Sequence, residues 1–357
     1  MTSPVARINL PALRHNLDRV KEVATGCRVI AAIKANGYGH GLVEVARALA
    51  GADAFAVARV EEGLQLRHAG FDGKIMVLEG FNSQPELLLC RDSDLDLVIH
   101  DRFQLQLLDK LPAGASPLRL WVKIDTGMHR IGLQTGEAEA VISRLRGYED
   151  VRLVGVMTHF ANADDRQNDY TRQQLEAFIP FIDPELEVSI ANSAGILGWP
   201  DSHKGWVRPG IMLYGTSPFP DSVAGDEGLE PVMTLRTRLI AVRHLHKGDS
   251  IGYGSTWTCP EDMPVGVAAI GYGDGYPRHA PSGTPVLVNG QRAALAGRVS
   301  MDMITLDLRA ISNPRVGDSV VLWGEGLPAE EIARAAGTIT YELFCRLTGR
   351  VKYRYEE

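Results

Sequence analysis

The sequence predicts an α/β protein in which an N-terminal (β/α)8 barrel of the TIM type is joined to a C-terminal, mostly β domain. Two observations carry this expectation. Over the first 215 residues, eight short β-rich runs alternate with amphipathic helical runs, and no linker breaks the alternation. After about residue 230 the chain turns to short β-rich runs joined by Gly, Pro, Asn and Asp. A length of 357 residues suits a large domain followed by a smaller one, with the division expected at 1–230 and 231–357.

The barrel strands are expected at 28–34, 54–59, 75–79, 96–99, 119–125, 152–158, 187–191 and 207–213. Between them, LVEVARALA, EEGLQLRHAG, DRFQLQLLDKL, GEAEAVISRLRG and DYTRQQLEAFIPFI place apolar residues three and four apart, the spacing of a helix face. Eight such alternations favour a closed barrel over a doubly wound sheet. In the second part, MTLRTRLIAVRHL, VGVAAIGY, TPVLVNGQRAAL, MITLDL and SVVLWG read as strands, and Asn289-Gly290 reads as a two-residue hairpin turn. Only AEEIARAAG and YELFCRLTG read as helices there.

Composition excludes several classes of function. Hydrophobic residues make up 45% and charged residues 23%, as in an ordinary globular protein. The net charge of −7 offers no basic field for nucleic acid or an anionic membrane. Cys27, Cys90, Cys259 and Cys345 lie far apart with no CxxC pair, so reduced thiols are expected rather than bridges or a zinc site. No histidine pair shows metal-ligand spacing, and no metal is expected. The N-terminal residues carry charges throughout and lack a signal-peptide core, and no run approaches the roughly 18 apolar residues of a membrane span. These features predict a cytoplasmic protein with no membrane and no nucleic-acid partner.

The segment Ile33–Gly41, IKANGYGHG, sets one lysine after an apolar run and follows it with glycines, Tyr38 and His40. A lysine facing a pocket is the group that forms a Schiff base, and the C-terminal ends of barrel strands are where such folds hold their chemistry. A solvated strand end reads equally well from this segment alone. The other strand ends add Lys123, Asp125 and Arg130; His159 and Asp164; Asn192 and Ser193; and Arg208, Gly210, Ile211 and Tyr214. Singly, His159 reads as a core histidine, Arg130 as a surface ion-pair partner and Asn192-Ser193 as a turn. Together on one face they form an anion site beside a cluster of nitrogen bases, with Ser193 and Gly210 suited to a phosphate near the last two strands.

IKANGYGHG, WVKIDTGMHRIG, THFANAD, WVRPGIMLYG, IGYGSTW, IGYGDGYPR and GRVSMDM resemble, in order, the signatures of the alanine racemase family, and the resemblance runs on to YELFCRL near the end. It implies a pyridoxal 5'-phosphate enzyme with a barrel and a β domain that interconverts L- and D-alanine. Lys34 then matches the cofactor lysine and Tyr38 a phosphate-binding tyrosine. Asn192, Ser193, Gly210, Ile211 and Tyr341 match further cofactor contacts. Arg208 matches the arginine facing the pyridine nitrogen, and His159 the histidine bonded to that arginine. Arg130 and the Met301 amide match the groups that hold the substrate carboxylate. Tyr253 matches the second catalytic base, supplied by the other subunit of a homodimer with shared active sites. Asp164, Tyr272, Arg278 and Arg298 resemble residues of the entrance passage, and Lys123 matches a lysine often carbamylated in the family. Lys123 also reads as a strand-end lysine paired with Asp125.

The chemistry accounts for these residue types. Racemisation removes the α-proton from one face of an amino acid and returns one to the other, so two bases on opposite faces are the direct solution. In the family the lysine serves the D-isomer and the tyrosine the L-isomer. Arginine donates but cannot accept, so Arg208 disfavours protonation of a ring nitrogen. A broader alanine and serine racemase is the nearest alternative, because a small apolar pocket discriminates weakly against one hydroxyl. A non-catalytic pyridoxal-phosphate carrier lacks the C-terminal domain that brings Tyr253. A barrel-fold decarboxylase uses a carboxylate at the ring nitrogen, where this chain has Arg208. The resemblance implies D-alanine for peptidoglycan or D-alanine catabolism.

Overall fold

The computed structural model describes residues 3–112 and 117–357. Eight strands form the barrel: Arg28–Ala32, Ala54–Val57, Lys74–Val77, Asp96–Ile99, Leu118–Asp125, Val151–Met157, Glu187–Ser189 and Trp206–Val207. Each runs parallel to its neighbours, and the eighth returns to the first with Trp206 opposite Arg28 and Val207 opposite Val29. The expected helices appear between them as Leu42–Ala48, Val60–His68, Phe103–Leu108, Thr135–Arg146 and Tyr170–Phe178, joined by Gln84–Asp92.

Strand alternation decides what the barrel encloses. Side chains of alternate residues point inward, and Ile30, Ala54, Ala56, Met76, Val98, Trp121, Met157 and Trp206 form one buried cluster inside the ring. Trp121 and Trp206 meet edge to face at 6.4 Å. Gly155 makes room for this pair, since a Cβ there would lie 2.7 Å from the Trp121 ring and 2.3 Å from the Glu187 carbonyl. The opposite parity, including Val29, Phe55, Ile75, Leu97, Leu120 and Val156, packs against the helices in the main core.

Helix Leu10–Val23 completes the outer layer. Asn9 caps it by accepting the Ala12 N–H at 3.1 Å, and Pro11 stands in its first turn, where a missing N–H costs nothing. Its fully buried Asn16 donates to the carbonyls of Leu213 and Glu230 and accepts the Glu230 N–H.

In the C-terminal part, Met263–Ala268, Ile304–Asp307, Gln291–Leu295, Pro285–Val288, Ser319–Trp323 and Met233–Leu245 pair antiparallel in that order. The long strand Met233–Leu245 also pairs with Met263–Ala268, closing the circle. Asn289 and Gly290 both have positive φ, 48° and 80°, which is the turn their sequence predicts between Val288 and Gln291.

Two expectations are corrected, and one strand was not foreseen. The run 207–213 is not a strand beyond Val207; Pro209 has no N–H for a ladder, and Ile211–Tyr214 winds into a 3-10 turn. The run 28–34 ends at Ala32, and Lys34 opens a separate turn. Val5–Asn9, sequence-adjacent to the barrel, is a strand of the C-terminal sheet, lying between Met233–Leu245 and Lys352–Glu356.

Candidate active site

At the C-terminal layer of the barrel the inward parity changes from apolar to polar. One register step beyond Val98, Trp121, Met157 and Trp206 stand His100, Lys123, His159 and Arg208. All four line a cavity of about 1020 Å³ together with Lys34, Tyr38, Arg130, Asp164, Asn192, Ser193, Gly210, Ile211 and Tyr341. Period-two geometry thus gathers His100, Lys123, His159 and Arg208 onto one mouth from four separate strands.

Lys34 is carried on an unusual turn. Ala35, Asn36, Gly37, Tyr38 and Gly39 all have positive φ, between 50° and 79°, and form a left-handed coil. Such a conformation costs about 1–2 kcal/mol for each residue that has a Cβ. Internal bonds hold it, from the N–H groups of Gly37, Gly39 and His40 to Ile33, Ala35 and Gly37. Asn36 Oδ1 accepts the Leu42 N–H at 2.9 Å, and His40 Nδ1 meets the Tyr38 carbonyl at 2.9 Å. His40 packs between Tyr214 and Phe344 and is fully buried, which pushes its pKa down to about 4, so it serves as a neutral support.

The Lys34 amine is held below the ordinary lysine value by burial and by the Arg130 charge, opposed by Glu79, Glu62 and Cys345. Arg130 itself has no ion-pair partner among the described residues. Lys123 is pushed down to about 7 by burial and by Arg208, Arg130 and Lys34. It is not paired with Asp125, whose Oδ1 instead accepts the N–H groups of Gly127 and His129 at 2.9 and 3.1 Å.

Arg208 forms the cavity floor and is buried. It donates to Ser189 Oγ at 2.5 Å, to the Thr158 carbonyl, and to the Ile190 carbonyl at 3.2 Å. The expected bond from His159 is therefore replaced by these acceptors, which a buried guanidinium needs to satisfy its donors. Burial pushes Arg208 down to about 10, which leaves it charged at neutral pH. His159, beside it, is held well below the usual histidine range by burial and by the Arg208, Lys123, Arg130 and Lys34 charges, and is neutral.

On the other wall, Ser193 Oγ accepts the N–H groups of Gly210 and Met212 at 2.9 and 3.4 Å. Asn192 caps the short helix Ser193–Gly198 through the Gly195 N–H at 2.9 Å. The Tyr38 ring stacks on Tyr214 at 4.6 Å and lies 5.9 Å from Tyr341. A Cβ on residue 210 would come within 2.5 Å of the Tyr38 hydroxyl, so only glycine leaves that corner open. A carbonyl-bearing cofactor with a phosphate fits this donor set: a lysine amine of lowered basicity, two hydroxyls at a glycine corner, and a buried guanidinium.

The remaining sequence-predicted residues lie elsewhere. Tyr253 stands on the turn Tyr253–Ser255 with 67% of its surface exposed, and neither it nor Tyr272, Arg278, Arg298 or Met301 lines the cavity. These residues share the C-terminal domain. Met301 and Tyr272 are held by one knot: Tyr272 and Gly273 donate to the carbonyls of Ser300 and Met301 at 3.0 and 2.9 Å. Arg350 clamps the knot by an ion pair with Asp274 at 3.1 Å and a bond donated to Asp302 at 2.7 Å. Gly271 permits the close approach, since a Cβ there would lie 2.3 Å from both the Ser300 and Met301 carbonyl oxygens.

Several cavity residues were not foreseen. His100 follows the same parity as Lys123, and that signal could have found it. Glu330 could not be found so, because it reaches the cavity wall from helix Ala329–Ala336, accepting the N–H groups of Ser217 and Ala224 at 2.9 Å each.

A barrel whose mouth presents a half-buried lysine and a buried arginine, with a polar corner suited to phosphate beside them, is the framework of a pyridoxal-phosphate enzyme of the barrel-fold class. Residues 8–218 match the description "Alanine racemase, N-terminal domain" and residues 232–355 "Alanine racemase, C-terminal domain". The chain belongs to the alanine racemase family. It is 54% identical to the alanine racemase of Nitrosococcus oceani over 98% of this chain and 99% of that one. It is 49% identical to that of Vibrio cholerae over 99% of each. Among solved structures, the biosynthetic alanine racemase of Pseudomonas aeruginosa matches with a TM-score of 0.97 and 45% identity over all of both chains. The alanine racemase of Acinetobacter baumannii matches with a TM-score of 0.94 and 38% identity, again over all of both. The cofactor of the family, and of this chain, is pyridoxal 5'-phosphate.

Proposed function

We propose that this chain interconverts L- and D-alanine with Lys34 and Tyr253 as bases on opposite faces of the substrate, in a homodimer where each barrel mouth is completed by the partner's C-terminal domain. The observation that carries this reading is the division of the residues: the lysine side of the chemistry lines a cavity, while Tyr253 is exposed outside it. A single chain therefore holds the two bases apart, and two chains related by a twofold axis can supply each other's missing half.

When bound, pyridoxal phosphate supplies an electron-withdrawing ring that acidifies the α-proton. Lys34 would hold it, with Tyr38, Asn192, Ser193, Gly210, Ile211 and Tyr341 around its phosphate and Arg208 toward its ring nitrogen, with His159 beside Arg208. Arg208 can only donate, so it keeps the ring a restrained electron sink and limits transamination. Arg130, with no carboxylate partner among the described residues, and the Met301 amide orient the alanine carboxylate. Lys34, whose amine is less basic than an ordinary lysine, takes or returns the α-proton on one face at Nζ. Tyr253 does the same at its hydroxyl on the other. Asp164, Tyr272, Arg278 and Arg298 line the way in.

Lys123 is proposed to be carbamylated. Its amine, near half neutral at pH 7, is the form that adds carbon dioxide, and the product would give Arg130 an anionic partner. Electron density at Lys123 tests this. The domain division is placed at 1–230 and 231–357, with Val5–Asn9 lent to the second part. A cytoplasmic location is proposed from the four free thiols; among the described residues no helix is long and apolar enough to cross a membrane.

The test is a chiral assay on L- and D-alanine, with serine alongside, before and after borohydride reduction. Reduction is expected to abolish activity and fix the cofactor on Lys34. Label on another lysine would overturn the assignment, and equal turnover of serine would widen the substrate class.

A further inference from the structure

One carboxylate outside the residues given roles above touches the turn that carries Lys34. Glu62 lies in helix Val60–His68, which follows the second barrel strand. Its Oε1 accepts the Ala35 N–H at 2.6 Å, and its Oε2 accepts those of Ala58 at 2.8 Å and Arg59 at 3.2 Å. The bond to Arg59 is the ordinary reach of an acid in the first turn of a helix back to the residue before it. The bond to Ala35 is not explained that way. It ties the loop after the first strand to the loop after the second, and both Ala35 and Ala58 line the cavity.

Ala35 directly follows Lys34 and is the first residue of the left-handed coil. The coil's own bonds begin at the Gly37 N–H, so they leave the Ala35 N–H to be held from outside. A charge-assisted bond is a strong tether for that purpose. We propose that Glu62 is a positioning residue for Lys34: by holding the Ala35 N–H it fixes the direction in which the lysine side chain leaves the backbone, and its charge supports the amine. The inference rests on Lys34 being the cofactor lysine.

The groups that face the amine are Arg130, Lys123 and His159, with Glu62, Glu79 and Cys345 opposing the cations. Removing the Glu62 charge leaves the cations less opposed, so the amine should lose its proton at lower pH.

Glu62→Gln in the pyridoxal-phosphate-loaded enzyme tests this, with Glu62→Asp as the charge-retaining variant. Glu62→Gln is expected to lower kcat about tenfold with KM little changed, as a slightly misdirected base would. The pH midpoint of the bound cofactor's visible absorbance should move down. Glu62→Asp should keep the wild-type midpoint but not the full kcat, and it carries the test if the glutamine variant does not fold. A helix-capping role alone would lower Tm while leaving kcat and the absorbance midpoint at wild-type values, and that result overturns the proposal. Borohydride labelling of the same variants separates the two readings: label on Lys34 with unaltered kinetics defeats only the role of Glu62, whereas label elsewhere defeats the assignment of Lys34.

Discussion

The barrel mouth and the C-terminal domain hold their candidate site residues in opposite ways. At the mouth, Lys34, Lys123, His159 and Arg208 are buried or half-buried, crowded by like charges and shifted from their ordinary pKa values. On the second domain, Tyr253 and Met301 are 67% and 51% exposed, and the segment of Met301 is fixed from behind by the Arg350 clamp. The first region does its electrostatic work within one chain. On the proposed reading the second supplies geometry, a hydroxyl and an amide offered to the barrel mouth of a partner. A two-base enzyme needs its bases on opposite sides of the substrate, and drawing them from two rigid bodies is a simple way to keep them apart.

The largest test of this contrast is to break each half in a different subunit. Lys34→Ala and Tyr253→Phe should each lose at least about 10²-fold in racemase activity, the scale of a lost general base. Random mixing should then restore up to about a quarter of wild-type activity, because half the dimers are mixed and each has one intact site of two. No recovery in mixtures shown to exchange subunits would sink the shared site.

A smaller effect sharpens the view of the second domain as a source of geometry. Arg350→Ala unclamps Asp274 and Asp302 without touching the barrel mouth. It is expected to raise KM for alanine about tenfold, with a smaller change in kcat, as the Met301 amide loses its fixed place. Steady-state kinetics in both directions check this; a fall in kcat alone would mean the knot serves something other than the carboxylate.

The smallest effect probes the charge crowding at the mouth. Below pH 7 Lys123 is protonated in both folded and unfolded chains, and its buried charge weighs fully against the fold. Between about 7 and the ordinary lysine value near 10.4, the unfolded chain binds more protons, so stability rises with pH. In cofactor-free protein stripped of carbon dioxide, urea midpoints should climb from pH 7 to pH 9 in the wild type and less in Lys123→Met. Parallel profiles would show that Lys123 is not strained by its neighbours.

Much of this was legible in the chain. The eight β/α alternations gave the barrel, and Asn289-Gly290 gave its hairpin, because local periodicity and turn chemistry decide those features. The cofactor-side residues were nameable from their motifs, and the strand parity then explains why they meet. What could not be read was anything set by distant pairing or by backbone handedness. Nothing local in VARIN says that Val5–Asn9 belongs beside residues 352–356. The left-handed coil after Lys34 is disfavoured by the propensities of Ala35 and Tyr38 and exists because the tertiary structure holds it. Arg208 was expected to bond His159, yet its partners are the Ser189 hydroxyl and two carbonyls, whose positions only the folded barrel defines.

The pairing of Val5–Asn9 with Lys352–Glu356 has a consequence for the order in which the protein can be made. Arg7 and Glu356, which close that pair with a side-chain bond, are 349 residues apart in the chain. During synthesis the barrel can begin to assemble as soon as its own strands have emerged, but the second sheet must wait for residues 352–356. Until then its long strand Met233–Leu245 has Val5–Asn9 as a neighbour whose outer edge is open, a row of unpaired backbone groups that only the last strand covers. The newly made chain is thus most exposed to wrong pairing until residues 352–356 emerge, and the domain that carries Tyr253 is completed after the barrel.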